Sequence, residues 1–344
     1  MKIDTALSSG GLGHLPLELN EVEEVAVKLE QMGYDGLKSI ETAHDPFFPL
    51  LLAARKTKNI QLMTAIAVAF ARSPMVLAHI GHALNTISSG RFILGLGSQL
   101  RPHITNRFSM PWSSPARRMR EFLLAMHAIW DNWYDKKPLS FKGEFYSHTL
   151  MTPFFAPKPS LFGRPKIYLA AVGPRMTEVA GEVADGIILH SFTTPAYIQQ
   201  TTLPALQKGL DIHGRTRTDI EISCPIFCVT GRDEKELKEA KVKMREQIAF
   251  YGSTPAYRPV LKSIGVEALQ PKLNGLSKQG EWQKMGELID DTTLSHFAII
   301  GEPESLAEQI QARFGNIADR VTASYVNLTE KGAKNFISRL RESS

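Results

Sequence analysis

The chain has 344 residues, 43% hydrophobic and 22% charged, with two cysteines and a formal net charge of +5. This fits one large α/β barrel or two smaller domains, and no apolar stretch approaches the roughly eighteen residues of a membrane span. The positive balance does not point to nucleic acid, because charges alternate in sign along helical stretches such as Asp233–Arg245, as on a solvated face.

The amino terminus leads straight into a strand-like segment, Lys2–Leu7, leaving no room for a signal peptide, so a cytoplasmic location is expected. Asn20 and Glu23 make a capping-box-like start to a helix with an apolar stripe of Val22, Val25, Ala26, Leu29 and Met32, and Gly33 is a left-handed stop. Gly36–Glu41 is a second strand, and Asp45 reads as an N-cap ahead of Pro46. Ile60–Ala67 (IQLMTAIA) is continuously apolar, as a strand buried on both faces should be. Ser73-Pro74 then opens a helix in which Val76, Leu77, Ile80, Leu84 and Ile87 recur at helical spacing, and Gly90 ends it. Phe92–Gly97 runs back into a strand that finishes at Gly95, Gly97 and Ser98. A parallel βαβ unit with glycines at a strand's carboxyl end is where α/β proteins place ligands.

Past the helix Ser114–Tyr134, a hairpin turning at Lys142-Gly143 and a proline-rich loop lead to a strand at Lys166–Val172. Gly173-Pro174-Arg175-Met176 opens the next helix; Pro174 suits the first helical position, and the free N–H groups there can receive an anion. Further strands read at Gly186–His190, Glu221–Val229 and Val321–Asn327, before a closing helix at Lys331–Leu340. Cys224 and Cys228 share one of these strands about 13 Å apart, too far for a disulfide, and read as reduced packing residues. Eight βα units imply an α/β fold, a (β/α)8 TIM barrel in one domain spanning 1–344. Insertions are expected after strands four and seven, at about 139–165 and 252–295, the second as a lid or substrate wall. An open doubly wound sheet is the rival fold; no G-x-G-x-x-G follows the first strand, and Gly10, Gly11 and Gly13 lack the context.

Three segments carry a resemblance: TAIAVAFARSPMVLAHIGHALNTISSGRFILGLGSQ at 64–99, AAVGPRMTEVAGEVADGII at 170–188, and HDPFFPLLLAARKT at 44–57. They resemble the bacterial-luciferase-like superfamily of flavin- and deazaflavin-dependent oxidoreductases, and most of all its coenzyme F-420-dependent branch. The similarity runs from Lys2 to about Leu328 and implies a barrel enzyme, commonly a homodimer or homotetramer. It implies hydride transfer between F-420 and a small organic substrate. The alternative is a two-component monooxygenase that uses FMN, reduced by a separate flavin reductase, together with oxygen.

By the same resemblance, Gly173, Pro174, Arg175 and Met176 hold the cofactor phosphate, Ala65 and Ile66 form a backstop behind its ring, and Glu41, Gly97, Ser98 and Gln99 are further cofactor-binding candidates. A non-prolyl cis peptide and a bulge often occur in this family near Ala65, Ile66 and Ala67. His44, one position from the family's usual histidine, and His103 are the candidate catalytic acid/base residues, though each also fits a surface-loop histidine. Where the family commonly has a carboxylate after strand four, this chain has Arg101 and His103. The basic neighbourhood of Arg101, His103, Arg107, Arg117, Arg118 and Arg120 offers a landing place for an anionic coenzyme tail. His190 is a further pocket-lining candidate, and Phe47, Phe48, Phe70, Trp112, Tyr251 and Tyr257 a possible apolar wall. No metal is expected: His79 and His82 lie on an outer helix, and no convergent His/Asp set supports a barrel hydrolase. A binding protein that has lost turnover is the remaining class, with the missing carboxylate as its support.

Overall fold

In the computed structural model, described over residues 1–9, 15–231, 233–324 and 329–342, the buried apolar runs become eight parallel barrel strands. They are β1 Lys2–Ala6, β2 Gly36–Ser39, β3 Gln61–Thr64 (resumed at Ala67–Val68), β4 Phe92–Gly97, β5 Lys166–Ala170, β6 Gly186–Ile188, β7 Glu221–Val229 and β8 Arg320–Ser324. Each pairs with its sequence neighbours, and β8 pairs β1 in register Arg320↔Lys2, which closes the barrel. Residues 325–327 of the expected eighth strand, and Gly10, Gly11 and Gly13, lie outside the described residues.

The local signals that set the helix ends behave as their chemistry requires. Ser73 accepts a hydrogen bond from the Val76 N–H and caps Pro74–Ile87, and Gly33 ends Val22–Met32 at φ 97°. That helix is not started by Asn20, however: Glu21 occupies the N-cap position, with no side-chain cap. Asp45 instead caps from one residue further out, its Oδ1 accepting from the Phe47 N–H at 2.9 Å.

Side chains of alternate residues point into the barrel. The lower layer is charged: Arg320 on β8 grips Asp4 on β1 through two hydrogen bonds of 2.7 and 2.8 Å, and Lys38 on β2 reaches Asp4 at 3.1 Å. Lys38 also donates to Ser223 and Thr322, so its three donors are all used. Burial works against the Asp4 carboxylate, but Lys38 and Arg320 outweigh it and hold its pKa below the usual value. Above this layer Met63, Ile93, Tyr168 and Ile188 pack together, with Ala65, Ile66 and Ala170 against them.

The helices after β7 do not follow a minimal barrel. Glu234–Gly252 packs on Leu269–Gln279, Trp282–Glu287 and Asp291–Phe297, and Ala298–Ile300 then returns as a short strand parallel to the end of β7. The segment expected as an insertion, about 252–295, thus packs with the helix Glu234–Gly252 that follows β7 as one helical block; Pro303–Phe314 then leads down to β8. Met244, Ile248, Leu273, Met285 and Leu294 give the block a hydrophobic core of its own, seated on Phe192 and Phe227 at the carboxyl end of the barrel. After β4 and its long helix Pro115–Asp135, a small hairpin pairs Phe141–Lys142 with Ser147–His148. Both cysteines are buried and reduced, and burial pushes each thiol up to about 12. Among the described residues no helix is long and apolar enough to cross a membrane, and no cluster of metal-ligating side chains occurs.

Candidate active site

The carboxyl ends of β2 to β6 lie side by side, and they bring most of the sequence-nominated residues into one arc. On β3 and β4 the backbones come unusually close. Thr64 Oγ1 donates to the Gly95 carbonyl at 2.7 Å, and a Cβ on Gly95 would sit 1.8 Å from the Thr64 carbonyl oxygen, so only glycine fits. The Ala65–Ile66 peptide is cis, at the place where the family resemblance puts such a bond. One step up, a Cβ on Gly97 would press within 3.0 Å of the Ile66 side chain. Ala65, Ile66 and Ala170 are only partly covered and Ile40 is 37% exposed, leaving an apolar shelf of alanines and isoleucines at the mouth. Gln99 adopts φ 59° just after the shelf, and its Oε1 accepts from the Leu100 N–H.

The register of β4 with β5 (Leu96↔Leu169) sets the Gly97–Gln99 loop beside the loop carrying Gly173. Pro174 is the first residue of its helix, Gly173 is the N-cap, and no side chain caps the turn. The N–H groups of Arg175 and Met176 are therefore left without helical partners. Open space surrounds the Gly173 Cα, since an added Cβ would meet nothing within 4 Å. Arg175 is exposed.

Glu41 is placed differently from its nomination as a cofactor contact. Its buried carboxylate accepts from the Val68 N–H at 2.7 Å and from both terminal nitrogens of Arg72 at 2.8 and 3.1 Å. Arg72 also binds Asp45 at 2.9 Å, so this knot ties the loops after β2 and β3 together. Its acceptor atoms face protein, and its effect on the mouth is to fix those loops. His44 is half-buried in a crevice with Leu7, Leu17 and Ile40. His103 is exposed on a short helical turn, His103–Arg107. Neither imidazole has a hydrogen-bond partner among the described residues. The two loops are joined by Arg107, which donates to the Thr42 carbonyl at 2.7 Å.

The basic neighbourhood divides in two. Arg117 pairs with Glu144, Arg120 binds Glu182 at 2.7 and 2.9 Å, and Arg118 is buried over the Phe70 ring while donating to the Pro111 carbonyl. These three are consumed structurally. Arg101, like Arg175, makes no ion pair among the described residues.

Sequence reasoning also placed Phe70 among possible wall residues, but it is fully buried core; Tyr251 and Tyr257 are partly buried near the end of β6. They pack on His190, with ring centroids 4.8 and 5.0 Å from the imidazole. His190 continues the inward alternation of Gly186 and Ile188 at the end of β6. Its Nδ1 accepts from the Phe192 N–H at 3.0 Å, and burial pushes its pKa down to about 4, so near neutrality the ring is uncharged with its proton on Nε2. The Glu41–Arg72 pairing was missed because 31 residues separate the partners, and an Arg in an otherwise apolar stretch was its only signal.

The fold and site are those of a (β/α)8 barrel whose candidate site lies at the carboxyl mouth, where an apolar shelf adjoins an uncapped helix start. The chain belongs to the luciferase-like monooxygenase family, whose family model matches residues 2–320. An uncharacterised protein of Mycobacterium tuberculosis is 49% identical over 319 residues, covering 93% of this chain and 94% of that protein. The 5,10-methylenetetrahydromethanopterin reductase of Archaeoglobus fulgidus is 25% identical over 76% of this chain and 75% of its own. Among solved structures, the coenzyme F420-dependent tetrahydromethanopterin reductase of Methanopyrus kandleri matches with a TM-score of 0.77 at 19% identity, over 98% of this chain and 96% of that one.

Proposed function

We propose that the protein transfers hydride between a deazaflavin of the F-420 type and a small organic substrate at the carboxyl mouth of the barrel. The observation that carries this reading is cationic charge without counter-charge: among the described residues Arg101 and Arg175 make no ion pair, and they stand on adjacent loops flanking an uncapped helix start. That arrangement suits a ligand with a phosphate and a further anionic tail, which F-420 has and FMN lacks beyond its single phosphate. The coenzyme F420-dependent structure from M. kandleri supports the same choice.

When bound, the cofactor supplies the ring carbon that carries the hydride. The chain's residues do the rest. Ala65, Ile66 and Gly97 leave room for a flat ring, and Ser98 and Gln99 border it. The N–H groups of Arg175 and Met176, with Pro174 shaping the turn and Gly173 leaving it open, receive a phosphate. The block from 234 to 297 walls the mouth and keeps water from the reacting carbon. His44 gives or takes the substrate's proton through its imidazole, while exposed His103 lines the rim beside Arg101.

The test is a parallel titration of the purified protein with deazaflavin, oxidised FMN and reduced FMN, followed by fluorescence or heat. Preferential deazaflavin binding is expected, and Gly173→Asp should weaken it at least about tenfold with no loss of thermal stability, because the added side chain meets open space. A preference for reduced FMN would instead assign a two-component monooxygenase with a flavin reductase partner. Binding to neither by a folded sample would remove the enzyme reading.

A further inference from the structure

The wall formed by His190, Tyr251 and Tyr257 is used by nothing described so far. His190 stands at the end of β6, the two tyrosines come from the helical block, and the Tyr251 and Tyr257 rings lie 6.2 Å apart. Packing behind them fixes their positions. Phe192 stacks on Phe297 at 4.5 Å and touches both tyrosines, and Phe227 lies nearly parallel to Tyr251.

Each of the three rings carries one polar atom with no protein partner among the described residues: His190 Nε2 and the hydroxyls of Tyr251 and Tyr257. None of these atoms is among the sealed, unpartnered polar atoms of the interior, so each keeps some exposure to solvent. This contrasts with Tyr197, close by, whose hydroxyl is used on the Val172 carbonyl at 3.1 Å. Among the described residues, the trio's hydrogen bonds and ring contacts are with other rings and one backbone N–H, and none is a hydrogen bond or ion pair with a charged side chain. Hydrogen-bond donors on an aromatic, charge-free surface pair well with an uncharged oxygen and poorly with an anion, whose desolvation nothing here would offset.

We infer that His190, Tyr251 and Tyr257 form the subsite that anchors the substrate, and that it selects an uncharged, oxygen-bearing molecule with an apolar or aromatic body over phosphorylated or carboxylate compounds. This rests on the reading of the mouth as the cofactor site, and it adds the class of molecule that binds beside it. His190 holds its Nε2–H toward the ligand because the Phe192 N–H occupies Nδ1. The tyrosines, as donors or acceptors, serve an alcohol and a carbonyl equally.

The experiment titrates the full chain, with and without bound deazaflavin, against benzyl alcohol and against benzoate, which share a ring and differ in charge. Saturable binding of benzyl alcohol is expected, with benzoate at least tenfold weaker. Tyr251→Phe combined with Tyr257→Phe removes only the two hydroxyls; it should weaken benzyl alcohol about tenfold and leave deazaflavin affinity unchanged. His190→Phe provides the independent variant and should likewise weaken benzyl alcohol alone. Absence of saturable benzyl alcohol binding, equal or tighter binding of benzoate, or wild-type affinity in the tyrosine double variant would each overturn the inference. Failure of deazaflavin to bind would overturn the cofactor reading instead, and the titrations without cofactor would still decide the subsite.

Discussion

His190 shows how one residue's surroundings set its chemistry. A histidine at a barrel's mouth is ordinarily read as a proton shuttle, yet here burial among rings holds the imidazole neutral, with its pKa lowered to about 4. The folded value lies below that of an unfolded histidine, near 6.5. Between these values the unfolded chain binds more protons than the folded one, so stability is complete above about pH 6.5 and falls as pH drops toward 4. The slope is about 1.4 kcal/mol per pH unit, or about 3 kcal/mol across the window. His190→Phe should flatten that part of the curve and cost about 1 kcal/mol near neutrality, where the Phe192 N–H loses its acceptor. Urea titrations at pH 4.5 and 7.5 on both proteins measure this, and an unchanged difference between the two pH values would show that the imidazole is not buried neutral. The residue itself was legible, since it extends the inward alternation of a strand. Its neutrality was not, because the tyrosines that bury it lie more than sixty positions away in sequence.

At the scale of elements, the signals that survived the transfer from sequence to structure were local ones. The Ser-Pro and Gly-Pro helix starts, the left-handed glycine stop and the apolar strands all depend on residues within a turn of one another. What a helix packs against does not. The alternating charges of Glu234–Gly252 announced a helix with a solvated face, but gave no hint that its other face joins a separate core. The strand Ala298–Ile300, with only three residues, gives no periodicity to read. This division has a consequence for stability. Leu273 is fully buried in the block's core and touches the site where Gly252 lacks a side chain. Leu273→Ala should destabilise the block by about 2–3 kcal/mol. Hydrogen exchange across 234–297 should then accelerate, while the amides of Phe92–Gly97 keep their protection. Uniform acceleration throughout the chain would mean that block and barrel open together.

For the molecule as a whole, the question is what holds eight strands in a closed ring when the lower part of its interior is ionic. Asp4, Lys38 and Arg320 come from β1, β2 and β8, the strands that meet where the first and last units of the barrel close, and Ser223 on β7 adds a fourth. Nothing in the sequence pairs Asp4 with Arg320, 316 positions away: one lies within its strand and the other opens its own. The three charged side chains are at most 6% exposed, so water cannot replace a lost partner. Asp4→Asn leaves two cations facing each other without their shared anion, and should destabilise the fold by about 3–5 kcal/mol. Because the network ties the two ends of the chain, the loss should appear as a lower urea midpoint of the entire transition at constant slope, with the block and barrel probes moving together. The effect should be nearly independent of salt up to 1 M, as expected for charges that solvent does not reach. A loss that salt restores would place this network in contact with water, and the closure of the barrel would then rest on its apolar layers alone.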